Sequence, residues 1–290
     1  VLAVASIAAG VFCVGTLFGM IALQLSKMDA AHQLSEPSHI SLMLRQDGDA
    51  PLLQALSALD GVAAIDTLTP LTVRFRADSS SNWQTATLMF RVSPEQQRFD
   101  KTTLQSGYWP QTSSEIAIEN LSSQQTGLRT GDSVELSDEN GIRQLSISGI
   151  VRHPFIKPPK FGGQAHFFID SQSLPVFHLK PASFRQLLVQ IKPPYSAEQA
   201  RHVAQQIKTE LASRRIDVNV TLLQDPQQHW GRPFVAGIDQ VLQWLALVSL
   251  LLASVLIFNS VSAHINQQAD QIGVMKALGA SLWMIARLYY

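Results

Sequence analysis

Gln240 to Ala263 reads QVLQWLALVSLLLASVLIFNSVSA, a stretch without one acidic or basic residue. A helix needs about 20 consecutive apolar residues to cross the hydrocarbon core of a bilayer. In that interior each backbone polar group must be bonded within the segment, which a helix achieves. The stretch lies deep in the chain and is followed by more sequence, so it reads as a membrane span. Val1 to Leu25 (VLAVASIAAGVFCVGTLFGMIALQL) is equally free of charge. That run lacks the basic opening and small-residue cleavage site of a signal peptide. It is read as a second span, trimmed at its start, rather than a leader or a buried core helix.

Working outward from the two runs gives the expected organisation: a span over 1–28, a polar domain over 29–234, a span over 235–263, a turn over 264–281 and the opening of a third span over 282–290. The formal net charge is zero, so no global field recruits nucleic acid. The single cysteine, Cys13, lies in the first span and excludes an intrachain disulfide or thiolate cluster. No G-x-x-x-x-G-K-[ST] loop, G-x-S-x-G, H-E-x-x-H or C-x-x-C occurs. The chain therefore cannot cradle ATP in the usual way, and no catalytic residue, cofactor or metal is expected. His153, His166 and His178 match no ligand spacing and read as separate packing or surface residues. Lys157 and Lys160 flank Pro158-Pro159 in an extended, solvated linker. Trp230, Phe234 and Trp244 suit either an interfacial aromatic belt or simple packing of the second span, and Asp239 reads as a hydrated residue at its outer end.

Within the polar domain, Ile40, Leu42 and Leu44 alternate as in a half-buried strand. Asp49 then caps a helix with Leu52, Leu53, Leu56 and Leu59 on one face, Asp60-Gly61 ends it, and Val62 to Leu68 is a further strand. The same order returns later. Leu187, Val189 and Ile191 alternate; Ser196 and Gln199 offer a reciprocal capping box; Ala200, Val203, Ala204, Ile207 and Leu211 stripe a helix; Ile216 to Leu222 closes the unit. Two such units make a split ferredoxin-like βαβ lobe. Between them, over about 85–178, lie strands at Thr85 to Val92, Glu115 to Glu119 and Ala165 to Asp170. Ser133 to Ser137 and Arg143 to Val151 are expected to pair through an Asn140-Gly141 turn. The fold class is thus an α+β domain, a ferredoxin-like lobe with an inserted β-rich lobe, between transmembrane helices.

After the second span, Ile265, Ala269, Ile272 and Met275 form an apolar edge at helical spacing. Gly279 suits the left-handed position that stops a helix, and Ser281 can cap the next. Gln271-Ile272-Gly273 and Lys276-Ala277-Leu278-Gly279-Ala280 resemble the segment joining the second and third spans of FtsX/MacB-type ABC transporter permeases. The charged residues that precede it in that family are replaced by Gln267, Gln268, Ala269 and Asp270. Gly107-Tyr108-Trp109-Pro110, Glu115-Ile116-Ala117-Ile118, Gly131-Asp132-Ser133-Val134 and Ser148-Gly149-Ile150-Val151 follow the order of a MacB-like periplasmic core domain.

This resemblance implies a fragment of a multi-pass permease of the bacterial cytoplasmic (inner) membrane, with 29–234 in the periplasm or outside. It implies a separate ABC ATPase docking on Gln271, Ile272, Gly273, Met275, Lys276, Ala277, Leu278, Gly279 and Ala280, a homo- or heterodimer of permeases, and a periplasmic partner protein. Lipoproteins, peptides or small amphiphiles are the implied substrates. Two other readings stay open: a two-span sensor with a ligand-binding outer domain, and a cell-division regulator that shares the permease architecture. The sensor reading fits less well, because the chain returns to hydrophobic sequence at Leu282 instead of entering a charged cytoplasmic helix. Cysteines placed at Ser80 and Gln268 should label oppositely with a membrane-impermeant thiol reagent in intact cells, Ser80 reacting and Gln268 not; the reverse pattern overturns the topology.

Overall fold

A computed structural model describes residues 2–156, 162–281, 283, 284 and 287. The linker around Pro158-Pro159 and most of the segment expected to open a third span lie outside the described residues. In chain order the elements are α1 (Leu2–Leu34), β1 (Ile40–Gly48), α2 (Ala50–Ser57), β2 (Val62–Arg76), β3 (Gln84–Arg91), β4 (Thr103–Gly107), β5 (Glu115–Glu119), α3 (Asn120–Thr126), β6 (Ser133–Asp138), β7 (Gly141–Arg152), β8 (Ala165–Asp170), β9 (Phe184–Ile191), α4 (Ala197–Ser213), β10 (Val218–Leu223), α5 (Arg232–Gln267) and α6 (Ala269–Ala277). Short 3-10 helices at Pro94–Gln96 and Ser171–Phe177 complete the set. The chain forms two compact units: Ser26–Arg232, and the two ends of the sequence.

In the unit formed by the ends, α1 from Gly10 onward and α5 are each long and apolar enough to cross a membrane. At about 1.5 Å per residue, the 36 residues of α5 extend about 54 Å, well beyond a hydrocarbon core of about 30 Å. Its uncharged part, Gln240 to Ala263, is the part that fits.

The unit Ser26–Arg232 is built on a ferredoxin-like sheet of order β10-β1-β9-β2, with every neighbouring pair antiparallel. β1-α2-β2 and β9-α4-β10 are its interleaved halves. Leu52 and Leu56 from α2 share one core with the α4 stripe Ala200, Val203, Ala204, Ile207 and Leu211, and with Ile40, Leu42, Leu187 and Val189 of the sheet. Both helices start where the sequence placed them. Asp49 accepts from Leu52 N at 3.0 Å and Ser196 from Gln199 N at 3.0 Å. The capping box, however, is only half made: the Gln199 amide donates to Lys192 O instead of returning to Ser196.

β2 does not end at Leu68. Val62–Leu68 pairs with β9, and Thr69–Phe75 continues as the partner of β3. From there the order β2-β3-β8-β5-β7-β6 returns to β2 through Arg74–Ser137 and Arg76–Glu135, closing a six-stranded barrel. Closure leaves none of these six strands as a free sheet edge around the ring. Phe75, Leu88, Phe90, Ile116, Ile147 and Phe167 are among the side chains that fill it. The β6–β7 hairpin forms, but its closing pair is Asp138 and Gly141. Glu139 and Asn140 are the central residues, not Asn140 and Gly141, because the Asp138 carboxylate accepts from Asn140 N at 2.8 Å and fixes the turn one residue earlier.

The four short motifs of this part meet at one joint. Ser148 Oγ lies 3.0 Å from Tyr108 O and 3.3 Å from Ile116 O; Tyr108 OH donates to Glu115 at 2.8 Å; Ile147 N donates to Asp132 O at 2.8 Å. Gly107 pairs with Gly149 across β4 and β7. Its φ is +73°, and a Cβ there would lie 2.2 Å from Ser148 O. Gly131, at φ +95°, has open space where a Cβ would stand. A left-handed non-glycine residue costs about 1–3 kcal/mol. Gly131→Ala should therefore cost about that much in thermal unfolding, and Gly107→Ala clearly more, since a backbone clash adds to the strain.

Candidate coupling segment

α5 stops at Gln267 and Gln268 breaks the helix, with φ −106° and ψ 11°; Ile272 N then donates to Gln268 O at 2.9 Å as α6 begins. Asp270 stands in the first turn and Lys276 in the last, the favourable arrangement for a helix dipole. At the far end Ala280 N donates to Met275 O and Gly279 N to Lys276 O, both at 3.0 Å. This pair of bonds is a Schellman motif, and the φ of +93° it imposes on Gly279 suits glycine. Ser281 Oγ accepts from Met284 N at 3.3 Å, so a new helical turn is capped as the sequence led one to expect.

The segment is therefore a short helix with a defined break before it and a defined stop after it. Of the residues singled out in the sequence, Ile272, Met275 and Ala280 are half-buried, whereas Gln271, Gly273, Lys276, Ala277, Leu278 and Gly279 are exposed. Sequence reading chose Ile272 and Met275 as the apolar contacts. The structure leaves Val274 and Leu278, four residues apart, far more open at 60% and 83% exposure. Leu278 belongs to the set the sequence singles out; Val274, at helical spacing from it, does not. A Cβ on Gly273 would meet nothing within 4 Å.

Further joints hold the two ends of the unit Ser26–Arg232. Asp29, near the end of α1, pairs with Arg232 and accepts from His229 N. His32 Nε2 lies 2.8 Å from Asp225 O, and Gln33 Nε2 donates to Gln227 O at 3.1 Å. The His32 ring meets Phe155 and His229 edge-on at 5.7 and 5.6 Å. Burial, reinforced by His32, pulls the His229 pKa down. Apart from Phe155, these partners stand about 200 residues apart in sequence, with no local pattern to reveal them.

The chain leaving α1 is fixed in a second way. Asp100 N donates to Glu36 O and Lys101 N to Ser35 O. The buried Asp100 carboxylate accepts from both the N and Oγ of Ser38 at 2.8 Å. Arg91, also buried, donates to the carbonyls of Asp100 and Phe99 and lies 3.7 Å from the Asp66 carboxylate. Burial pushes the Asp100 carboxyl up and pulls the Arg91 guanidinium down, the latter opposed by Asp66 and Asp100. This arrangement can hold a strand crossover rigid; it offers no nucleophile with an adjacent base. Among the described residues no group of three or more His, Cys, Asp or Glu could hold a metal ion. His153 stacks on Phe168, His166 bonds Gln164 O, and His178 takes a left-handed conformation at the end of a 3-10 helix, each in its own setting.

Residues 244–290, which contain α6, match the family model described as FtsX-like permease C-terminal. Two solved structures are similar to part of this chain. One is the extracellular domain of the noncanonic ABC-type transporter YknZ from Gram-positive bacteria, at 11% identity and TM-score 0.42, covering 62% of this chain and all of that one. Another is the periplasmic region of MacB from Actinobacillus actinomycetemcomitans, at 8% identity and TM-score 0.43, covering 70% of this chain and 92% of that one. No curated protein matches the sequence.

Replacing Arg91 tests the buried joint. Arg91→Met should destabilise the unit by about 3–5 kcal/mol, the usual cost of removing one partner from a buried charged network. Arg74→Met, on an exposed residue, should cost about 0.5 kcal/mol or less in the same unfolding measurement.

Proposed function

We propose that the chain is the permease component of an ABC system of FtsX/MacB type, carried in the bacterial cytoplasmic membrane with Ser26–Arg232 on the periplasmic side. ATP is hydrolysed on a separate ATPase chain that docks on Gln271 to Ala280. Nucleotide-driven movement of that ATPase displaces α6, and through α5 the displacement reaches the periplasmic domain. That movement serves export or extraction of lipoproteins, peptides or small amphiphiles from the outer side. Two permeases pair, as a homo- or heterodimer, and a periplasmic protein completes the path.

One observation carries this reading: a rigidly terminated helix between two hydrophobic segments, in the stretch that matches the FtsX-like permease region. A connector needs no defined stop, and a sensor needs no return to the membrane. α6 has both a Schellman stop and a cap for the next helix.

The test is co-purification with the ATPase encoded beside the permease, together with coupled hydrolysis. Met275→Glu places a charge in the proposed contact. Gly273→Leu adds bulk where the chain itself has open space, and Gly279→Val strains the left-handed stop. All three should insert normally in the membrane and lose at least tenfold in ATPase retention or stimulated hydrolysis. Wild-type binding and coupling in all three would leave this turn a mere connector.

A further inference from the structure

On the face of the ferredoxin-like sheet opposite α2 and α4 lies a cavity of about 310 Å³. Its walls include Leu68, Met89, Leu188, Leu222, Phe155 and Trp230. Leu188 and Leu222 alternate with residues that face the helices, so strand pleating alone sends them to this side. Leu222 and Trp230 are 53% and 52% exposed, which leaves the mouth open. The volume is at the small end of the range for ligand sites, about 300–1,000 Å³.

The polar groups at the inner end are Ser41, Gln186, Gln224, Asp100 and His153. Part of their capacity is used within the protein. Gln186 Nε2 donates to Ser41 Oγ at 2.8 Å, and Ser38 spends its hydroxyl proton on Asp100. Gln224 can therefore only donate to Ser38 Oγ, through Nε2 at 3.3 Å, which fixes the orientation of its amide. Its Oε1 is left buried without a partner. An unpaired buried acceptor is costly and marks a place where a donor is missing.

Among the described residues no lysine or arginine lines the cavity, and the Asp100 carboxylate is already satisfied by Ser38. An occupant that suits this lining is apolar along its length, uncharged inside, and equipped with a donor for Gln224 Oε1. In sequence, Trp230 precedes the start of α5 by two residues and Gln240, the first residue of the uncharged run, by ten.

We propose that this cavity holds one alkyl chain of a membrane-derived amphiphile, with an amide N–H or hydroxyl beside the chain donating to Gln224 Oε1. The charged or bulky part of the amphiphile stays outside, past Leu222 and Trp230. This deepens the permease reading and rests on its placing the domain at the outer surface of a bilayer.

The test uses the full chain in lipid nanodiscs, without ATPase or nucleotide. Two photoactivatable probes carry a diazirine on a sixteen-carbon chain (on the order of one fully buried lipid tail): an N-acyl amino acid with an amide donor, and an ester-linked phospholipid without one. Adducts are mapped by mass spectrometry. The amide probe should label the Leu222–Trp230 and Phe155 peptides at least fivefold more than the ester probe, while both label α5 equally. Leu188→Trp, which fills the cavity, should remove the cavity adducts and spare those on α5. Gln224→Leu, at a partly exposed position, should bring the two probes to the same level. Adducts confined to α1 and α5, or cavity labelling equal for both probes and unmoved by Gln224→Leu, overturn the proposal. Since labelling needs no ATPase, its failure leaves the docking test on α6 untouched, and the converse also holds.

Discussion

β2 is fifteen residues long and changes partner half-way, bonding β9 over Val62–Leu68 and β3 over Thr69–Phe75. Everything else in the unit Ser26–Arg232 depends on that change. The ferredoxin-like sheet needs β2 as its last strand, and the barrel needs it as the strand on which β6 closes. One extended strand shared between two hydrogen-bonded layers has no slack residues in which to hinge. A loop between the lobes would let each move separately; a common strand makes them one body at the place where they join.

The buried joint around Arg91 acts in the same direction from the other side. Exposed ion pairs such as Lys101–Glu36 contribute roughly 0–1 kcal/mol and cannot by themselves hold a chain segment. The Arg91 guanidinium is fully buried, and its carbonyl partners belong to Phe99 and Asp100, beside the residues that bond Ser35, Glu36 and Ser38. Breaking any part of this set strands a charge or a polar group away from water, at several kcal/mol. The segment leaving α1 is thus coupled to the strand β3 more firmly than its few surface contacts suggest.

The sequence made the regular elements legible wherever a local period carried the signal. The α4 stripe was read residue by residue, and every member is buried, because an amphipathic helix on a sheet has only one way to face. Gly279 was legible because glycine at a helix stop has a single conformational reason. The long-range closure was not. Thr69-Pro70 looks like the end of a strand, since proline lacks an N–H for the ladder, yet β2 passes through it at the change of partner. Asp29, His32, Arg91 and Asp100 gave no warning either. Each is an ordinary polar residue whose partner is defined only after the fold is made. The turn at Glu139-Asn140 was misplaced by one residue because Asn-Gly statistics outweighed the side-chain bond that Asp138 makes.

What separates α6 from an ordinary connector is the cost the chain accepts in it. A glycine inside a helix is destabilising by about 0.5–1 kcal/mol relative to alanine, and Gly273 sits in the middle of a nine-residue helix. Some glycines elsewhere in this chain answer to an internal need, while Gly10, Gly15, Gly19 and Gly237, inside the two long apolar helices, stand as open as Gly273. Gly107 and Gly149 let two backbones touch, and Gly61 lies against Val203 in a left-handed turn. Gly273 answers to none: its φ is helical and its surroundings are open. Val274 and Leu278 add two large apolar side chains that nothing among the described residues covers. A helix weakened at its centre and apolar on its outside is poorly built to stand in water. Under the proposed docking, another backbone would approach closely at Gly273 while Val274 and Leu278 enter an apolar groove of the second protein.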